Sequence, residues 1–180
     1  MSNIECEVRA MIDDEKFTEL LAQFKETFTY IGIEEQITYY FDGENDLRIQ
    51  QSDNSAKVWL KKGKLHDEHR EEIEIKVPKE DFEKLEQLFL ALDYNIAIKW
   101  FRTRHTFRWD DIDVTLDFTR GYGYIIELEK ISNEEEQEAT ISLLKQKLAS
   151  LGITQTAREE FDEKYRYYKA NWKELTAPKR

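Results

Sequence analysis

Charged side chains alternate with apolar ones near the start of the chain, in the segment IECEVRA. Glu5, Glu7 and Arg9 stand at every second position. Alternate residues of a β-strand share a face, so the segment predicts a strand with one apolar face and one that carries two carboxylates and a guanidinium. Carboxylate oxygens bind Mg²⁺ or Mn²⁺, and guanidinium groups bind phosphate oxygens. The residue types therefore fit a site for a metal-chelated polyphosphate.

The same alternation recurs in later segments of the sequence. Other charged residues that stand at every second position of a predicted strand are Arg70, Glu72 and Glu74, then Arg102 and Arg104, and then Glu127 and Glu129. Further charged residues on predicted strands are Arg48, Lys61, Asp113 and Asp117. Two glutamates separated by one residue on a strand repel by roughly 2.5 kcal/mol at about 6.6 Å and an effective dielectric near 20. Water would remove most of that cost, whereas an enclosed channel would require compensating cations. A solvated sheet face and an enclosed channel both remain open on this evidence.

Composition narrows the class of protein. The chain has 180 residues, 40% hydrophobic and 13% aromatic, which suits one folded domain over residues 1–180. Cys6 is the single cysteine, so an internal disulfide is excluded and a reducing compartment, the cytoplasm, is expected. No stretch approaches the roughly 18 apolar residues of a membrane span. The net charge of −11 argues against general nucleic-acid binding, which requires an exposed basic face.

Periodicity predicts the elements that position these residues. A strand over Ile4 to Ile12 precedes an amphipathic helix in DDEKFTELLAQFKETF, and four short strands follow, QITYYFD, DLRIQQ, SAKVWLKKG and HREEIEIKV. A helix in PKEDFEKLEQLFLALDY leads to three longer strands and two C-terminal helices, with Ser132 as a candidate N-cap and the last helix near Arg158 to Lys173. These elements predict an α+β fold. Eight antiparallel strands form a barrel just wide enough for one small ligand.

The charged residues also occur in an order that resembles the CYTH domain, a family of the triphosphate tunnel metalloenzymes. The residues that carry the resemblance are Glu5-Cys6-Glu7-Val8-Arg9 for ExExK, Arg48 in LRI, Lys61 in WLK, Arg70-Glu71-Glu72-Ile73-Glu74, the basic strand with Lys99, Arg102 and Arg104, Asp117 in VTLD, and Glu127-Leu128-Glu129. Three positions depart from the pattern: Arg9 replaces a lysine, Thr38 an aspartate and Gln50 a basic residue.

The resemblance implies an eight-stranded antiparallel β-barrel flanked by helices, with acids and bases inside. The implied metal ligands for Mg²⁺ or Mn²⁺ are Glu5, Glu7, Glu127, Glu129 and Asp117. The implied catalytic residues are Glu5, Glu7, Arg9, Glu72 and Glu74. The implied phosphate-binding residues are Arg9, Arg48, Lys61, Arg70, Lys99, Arg102, Arg104 and Tyr165.

Two activities share such a site. The favoured prediction is a metal-dependent triphosphatase for inorganic tripolyphosphate or a small organic or nucleoside triphosphate, because no residue in the sequence is identified as reading adenine. The alternative is a class IV adenylyl cyclase that converts ATP to cyclic AMP and pyrophosphate. A non-catalytic module that binds polyphosphate or nucleotide is a third possibility, although anion binding alone gains nothing from six glutamates. The expected partner is the small-molecule triphosphate, with no nucleic acid or membrane, and the protein is expected to be a monomer or a homodimer.

Overall fold

The computed structural model describes residues 4–44, 46–61 and 72–178, with Lys61 and Glu72 described as backbone. The strands are β1 (Ile4–Ile12), β2 (Thr29–Phe41), β3 (Asp46–Gln51), β4 (Ala56–Lys61), β5 (Glu72–Val77), β6 (Ile96–Trp109), β7 (Ile112–Thr119) and β8 (Gly123–Ser132). The helices are α1 (Asp14–Thr27), α2 (Phe82–Ala91, preceded by a 3₁₀ turn at Lys79–Asp81), α3 (Gln137–Ser150) and α4 (Arg158–Leu175).

All eight strands form one antiparallel sheet in the order β1-β8-β7-β6-β2-β3-β4-β5. Consecutive strands pair in the two hairpin runs β2 to β5 and β6 to β8, and the long pairing of β2 with β6 joins the runs. Strand β1 adds to β8. The predicted α+β fold with an eight-stranded antiparallel sheet and flanking helices is confirmed.

The sheet curls around helix α4. Arg9 on β1 places its Cζ 5.0 Å from the Phe161 ring, and the Tyr40 ring on β2 lies 6.3 Å from the Tyr165 ring. Phe161 and Tyr165 are one turn apart on α4, yet β1 and β2 are four strand positions apart, which is about 19 Å in a flat sheet. The face that carries Arg9 and Tyr40 is therefore concave, as a barrel-like channel requires. Within the described residues no ladder joins the edge strands β1 and β5.

Packing differs between the two faces of the sheet. On the convex face, α1 and α3 cover the β1, β6, β7 and β8 region through Leu20, Phe24, Leu144 and Leu148, all fully buried. Helix α2 covers the β2 to β4 region through Phe82 and Phe89. These helices bury the apolar residues that the alternation predicted.

The concave face has a different cover. Tyr40, Ile98 and Trp100 of the sheet and Tyr122 of the β7–β8 turn pack against Tyr168 of α4. At the β7–β8 turn, Gly121 has φ +75°, and a Cβ added there would lie 2.7 Å from the Cβ of Leu175 at the end of α4. The turn therefore accepts this helix only because residue 121 has no side chain.

Two local predictions from the sequence are corrected. Strand β2 begins at Thr29 rather than near Gln36, because TYIGIEE continues the alternation and pairs with β6 across a bulge at Tyr30 and Gly32. Ser132 is not the N-cap of α3, because it ends β8 and its hydroxyl contacts the Thr140 hydroxyl at 2.9 Å.

Asn133 instead accepts hydrogen bonds from the backbone N–H groups of Glu135 and Glu136, which shifts the start of α3 to Gln137. No described helix combines the length and the apolar character that crossing a membrane requires.

Candidate functional site

The strand register brings the predicted charged residues to one face of the sheet, called here the charged face. Direct cross-strand pairs on it are Glu7 with Glu129, Arg9 with Glu127, Arg104 with Asp117 and Arg48 with Trp59. By the same register, the charged face carries Glu5, Glu7, Arg9, Arg48, Trp59, Lys61, Glu72, Glu74, Trp100, Arg102, Arg104, Thr115, Asp117, Thr119, Glu127 and Glu129. Tyr40 lies on the same face, because it pairs directly with Arg48. Since Arg9 and Tyr40 both contact α4, the charged face is the concave face.

The β1 and β8 side of the charged face is acidic. Glu7 and Glu129 are opposite each other in the ladder, and Glu5 and Glu127 lie next to them. Burial and the charges of Glu5, Glu127 and Glu7 raise the pKa of Glu129 to about 8. Arg9 Nη1 lies 3.4 Å from Glu7 Oε1, which compensates one of the acids. Glu129 is therefore the acid of this group whose charged form is disfavoured by burial and by its carboxylate neighbours.

The β6 and β7 side holds arginines that are fixed by an aspartate. Arg104 Nε donates to Asp117 Oδ1 at 2.8 Å and Nη2 donates to Oδ2 at 2.6 Å, and Arg102 Nη1 lies 3.4 Å from the same Oδ2. Burial raises the pKa of Asp117, but Arg104 and Arg102 outweigh it and hold the pKa below its usual value. Arg104 Nη2 also lies 3.8 Å from Glu127 Oε1, so this arginine joins the basic side to the acidic side.

Arg48 is held in a second arginine–aspartate fork on β3. Its Nε donates to Asp46 Oδ1 at 2.6 Å, and its Cζ lies 4.3 Å from the Tyr40 ring and 5.7 Å from the Trp59 ring. The aromatic rings and the aspartate fix the guanidinium in one orientation. Tyr165 on α4 lies beside this group, where burial and Tyr40 raise its pKa although Arg48 acts in the opposite direction. The predicted candidate Tyr165 is therefore near Arg48 in the fold.

The β4 and β5 edge adds one described acid. Glu74 accepts a hydrogen bond from Lys57 Nζ at 2.7 Å and lies 3.7 Å from Lys76 Nζ. Burial raises the pKa of Glu74, but the lysines outweigh it and keep the pKa below its usual value. Lys61 and Glu72 are opposite each other in the register. Arg70 lies outside the described residues.

Lys99 is not brought to the charged face. It pairs with Tyr39, one position out of phase with Trp100 and Arg102, and its Nζ lies 4.0 Å from the Tyr39 ring centroid and 3.7 Å from Glu86 of α2. Side chains of a strand alternate between its two faces, so Lys99 lies on the opposite face from Arg102 and Arg104, on the convex side. We therefore remove Lys99 from the candidate phosphate-binding residues.

Uncharged side chains stand at two of the three positions that depart from the family pattern, Thr38 and Gln50. Gln50 Nε2 donates to Thr38 Oγ1 at 3.0 Å and to Gln36 Oε1 at 3.2 Å, and Gln36 Nε2 donates to Glu34 Oε2 at 2.7 Å. This chain of hydrogen bonds occupies the part of β2 and β3 where an acid and a base were expected. The local charge is therefore lower, while the polar groups stay satisfied.

The carboxylates of β1 and β8 have the right chemistry to bind a divalent cation, but their side chains do not converge on one point. Among the described residues, no group of three or more His, Cys, Asp or Glu side chains stands ready to hold a metal. Carboxylates that repel one another are stabilised by a cation between them, and this repulsion adds to burial in raising the pKa of Glu129. Oxygen donors on adjacent strands suit Mg²⁺ or Mn²⁺. Asp117 fits that role poorly, because both of its oxygens are bonded to Arg104.

Sequence reasoning missed a set of buried polar atoms on the charged face, most of them on uncharged side chains. Five buried side-chain polar atoms lack a hydrogen-bond partner in the described residues: Trp59 Nε1, Trp100 Nε1, Arg102 Nε, Thr115 Oγ1 and Thr119 Oγ1. All five belong to charged-face positions of β4, β6 and β7. Apart from Arg102 itself, the only sequence feature that indicated these residues was their position on the same strand face as Arg102 and Asp117.

Comparison with known proteins agrees with this geometry. The model of the CYTH domain matches residues 3–165. A protein of Methanocaldococcus jannaschii named "Putative adenylate cyclase MJ0240" is 32% identical over 163 residues, covering 84% of this chain and 91% of the relative.

Two solved structures are similar in fold. The PH1819 protein of Pyrococcus horikoshii has a TM-score of 0.72 at 24% identity and covers 86% of this chain and 93% of its own. A Hippeastrum protein, "Putative adenylyl cyclase HpAC1", described with a dominant triphosphatase activity, has a TM-score of 0.65 at 20% identity and covers 98% of both chains. With the family model matched over nearly the whole length and the acid and arginine rows on one concave face, the chain belongs to the CYTH domain family.

Proposed function

We propose that the protein is a metal-dependent triphosphate hydrolase whose substrate is inorganic tripolyphosphate or another small triphosphate. One observation carries the proposal: a group of neighbouring carboxylates and arginines fixed by aspartates share one concave face, and Arg104 joins them. A metal-chelated polyphosphate has complementary charges, with cations at one part and bare phosphate oxygens at another.

The acids of β1 and β8 are the proposed metal ligands. Glu5, Glu7, Glu127 and Glu129 would hold Mg²⁺ or Mn²⁺, which when bound supplies charge neutralisation to the phosphoryl oxygens. Cation binding requires the ionised form of Glu129, so occupancy and the protonation of this glutamate oppose each other.

The arginines are the proposed phosphate clamp. Arg104 and Arg48 each use the Nε and Nη2 edge for an aspartate. A guanidinium has five N–H donors, so each keeps donors for phosphate oxygens while its plane is already fixed. Such preorganised donors stabilise charge that develops on the transferred group without reorientation.

Glu74 is the proposed water-orienting carboxylate. Its lowered pKa keeps it ionised at neutral pH, and Lys57 fixes one of its oxygens. An anchored carboxylate accepts a hydrogen bond from water and can hold the water in line with the terminal phosphorus. Glu72, two residues earlier on β5, is the second candidate for this role.

An adenylyl cyclase is the second candidate, supported by the name of the M. jannaschii relative. The packing of the aromatic group argues for hydrolysis of a smaller substrate. Trp100, Tyr122 and Tyr168 have ring centroids 4.6 to 5.6 Å apart, and each ring is at most 5% exposed. Aromatic rings that pack on one another in this way offer no open face on which adenine could stack.

A substrate panel tests the proposal. Purified protein with Mg²⁺ or Mn²⁺ is offered tripolyphosphate, ATP and thiamine triphosphate, and the release of phosphate and of cyclic AMP is measured in parallel. Metal-dependent phosphate release without cyclic AMP is expected. Cyclic AMP as the main product from ATP would favour the cyclase, and turnover of none of the three would favour a binding module.

A further inference from the structure

We propose that strand β5 pairs antiparallel with β5 of a second copy of this chain, with Ile75 of both copies at the two-fold axis. The product is a homodimer whose sheet continues from one subunit into the other. The inference goes beyond the proposed function, because it concerns how an edge of the sheet is covered and not what the charged face binds.

The two outer edges of the sheet differ in their cover. On β1, the Arg9 carbonyl accepts a hydrogen bond from the Thr156 N–H at 3.4 Å, and the Met11 N–H donates to Thr156 Oγ1 at 2.9 Å. Thr156 belongs to the linker between α3 and α4, so this linker covers the β1 edge. On β5, the only strand partner among the residues that the structure describes is β4. A strand with one unpaired edge is a template for a strand of another chain, so β5 is the edge that can accept one.

The convex side of β5 exposes apolar side chains. Ile73 is 49% exposed and Ile75 is 60% exposed. Alternate residues of a strand share a face, so Val77 lies on the same side, where it packs at the margin of the core beneath α2. A neighbouring strand that places apolar residues beside these isoleucines would remove them from water.

Helix α2 extends this apolar surface. Glu86 lies on the side of α2 towards β6, because its Oε1 is 3.7 Å from Lys99 Nζ. Residues two apart on a helix point about 200° apart, so Leu88 lies on the opposite side, towards β5. Leu88 is 53% exposed, and Leu92, one turn later, is 58% exposed. The isoleucines of β5 therefore lie beside further exposed apolar side chains.

The sequence of β5 identifies a second copy as the partner, because it is complementary to itself in the antiparallel direction. With Ile75 at the two-fold axis, Glu74 lies opposite Lys76 of the partner subunit and Ile73 lies opposite Val77 of the partner subunit. The symmetry repeats each of these pairs. Opposite charges and apolar side chains in directly opposed positions stabilise a pair of strands.

The neighbouring registers lack this complementarity. Directly opposed residues must share a face, so the register can shift only in steps that place a residue on the axis. An axis at Glu74 would oppose two glutamates, and an axis at Lys76 would oppose two lysines. Charged residues on an edge normally prevent pairing, but here their signs alternate about Ile75 and favour one partner.

Sedimentation equilibrium of the full chain tests the dimer. The wild type should show a monomer–dimer equilibrium between about 1 µM and 1 mM. Ile75→Lys places two positive charges at the axis, so its dissociation constant should rise at least about tenfold. Ile33→Lys is the matched control, because Ile33 is a similarly exposed isoleucine of β2 at 55%, and it should match the wild type.

A charge exchange tests the register. Glu74→Lys alone and Lys76→Glu alone each oppose like charges in both symmetric pairs, so each should remain monomeric at concentrations at which the wild type is dimeric. An equal mixture of the two variants restores opposite charges in both pairs and should form a heterodimer. Circular dichroism of each variant shows whether it is folded.

Three results would overturn the proposal. The first is a wild type that stays monomeric to about 1 mM. The second is a dimer that persists unchanged in Ile75→Lys, since it would use another surface. The third is a mixture of the charge variants that stays monomeric while the wild type dimerises. If a charge variant does not fold, the comparison of Ile75→Lys with Ile33→Lys decides alone.

Discussion

The acidic and basic sides of the charged face differ in how their surroundings affect the charge of a carboxylate. On β1 and β8, burial and the charges of three neighbouring glutamates raise the pKa of Glu129 to about 8. On β6 and β7, Asp117 is surrounded by Arg104 and Arg102 and stays ionised. The charged form is therefore disfavoured at Glu129 on the acidic side, whereas the arginines stabilise the charged form of Asp117 on the basic side.

This contrast assigns different tasks to the two regions. Carboxylates that repel one another are stabilised when a cation binds between them, because the cation reduces their repulsion. A paired arginine loses little conformational freedom when phosphate binds, because the aspartate has already fixed it. In the proposed function, the acidic region binds the metal and the basic region orients the substrate.

The largest expected effect comes from Glu7, opposite Glu129 on the acidic side. Glu7→Gln should lower metal-dependent phosphate release by about 100-fold or more, because it removes one of few charges available to a cation. The measurement is kcat with tripolyphosphate over a metal titration. Glu138→Gln, an exposed change on α3, is the matched control. Wild-type turnover in Glu7→Gln would remove this residue from the site.

On the basic side, breaking a fork should cost stability. Asp117→Asn leaves Arg104 and Arg102 without their shared partner, and we expect the free energy of unfolding to fall by about 2–3 kcal/mol. Urea denaturation measures this loss. Asp113→Asn, which breaks the 2.8 Å pair with Arg108 between much more exposed side chains, should cost less than about 1 kcal/mol. Equal losses would contradict the idea of a rigid basic side.

The pH dependence of stability should sharpen the comparison. The folded-state pKa of Glu129 is raised above its unfolded value near 4.5, so the folded protein binds an additional proton between about pH 4.5 and 8. Metal-free wild type should therefore lose stability as the pH rises through that window.

Glu129→Gln should remove that fall and be more stable than the wild type at pH 8.5, by about 2 kcal/mol or more. Thermal unfolding in EDTA from pH 5 to 9 provides the test. A variant that parallels the wild type across the window would show that Glu129 is not strained by its neighbours.

The smallest expected effect concerns the second fork. Arg48→Lys keeps the charge but loses the bidentate contact with Asp46, so KM for tripolyphosphate should rise about threefold to tenfold with little change in kcat. Arg120→Lys, on the exposed β7–β8 turn, is the control. A fall in kcat with KM unchanged would assign Arg48 to the chemical step instead of to binding.

Much of the charged face could be predicted because a strand has only two faces. Once Glu5 and Glu7 were assigned to one strand, alternation placed Arg9, and the same rule placed Glu127 with Glu129. The error at Lys99 came from neglecting that rule. The pairing of Glu7 with Glu129 was not predictable, since register depends on the hairpin turns and on which strands become neighbours.

The neutral residues were harder to predict for a physical reason. A tryptophan or a threonine on a strand is ordinary, and only burial without a partner distinguishes Trp100 and Thr119 from core residues. Burial of this kind depends on α4, which meets the sheet from more than thirty residues along the chain. Local patterns carry no information about such a distant cover.

The packing of α4 on the sheet depends on the missing side chain of Gly121. A methyl group at that turn would lie too close to Leu175, so the turn or the end of α4 would have to shift. Since Tyr168 and Tyr165 belong to the same helix, a shift of α4 would also move the aromatic residues that pack against the concave face. The placement of those residues thus depends on a turn position that has no side chain.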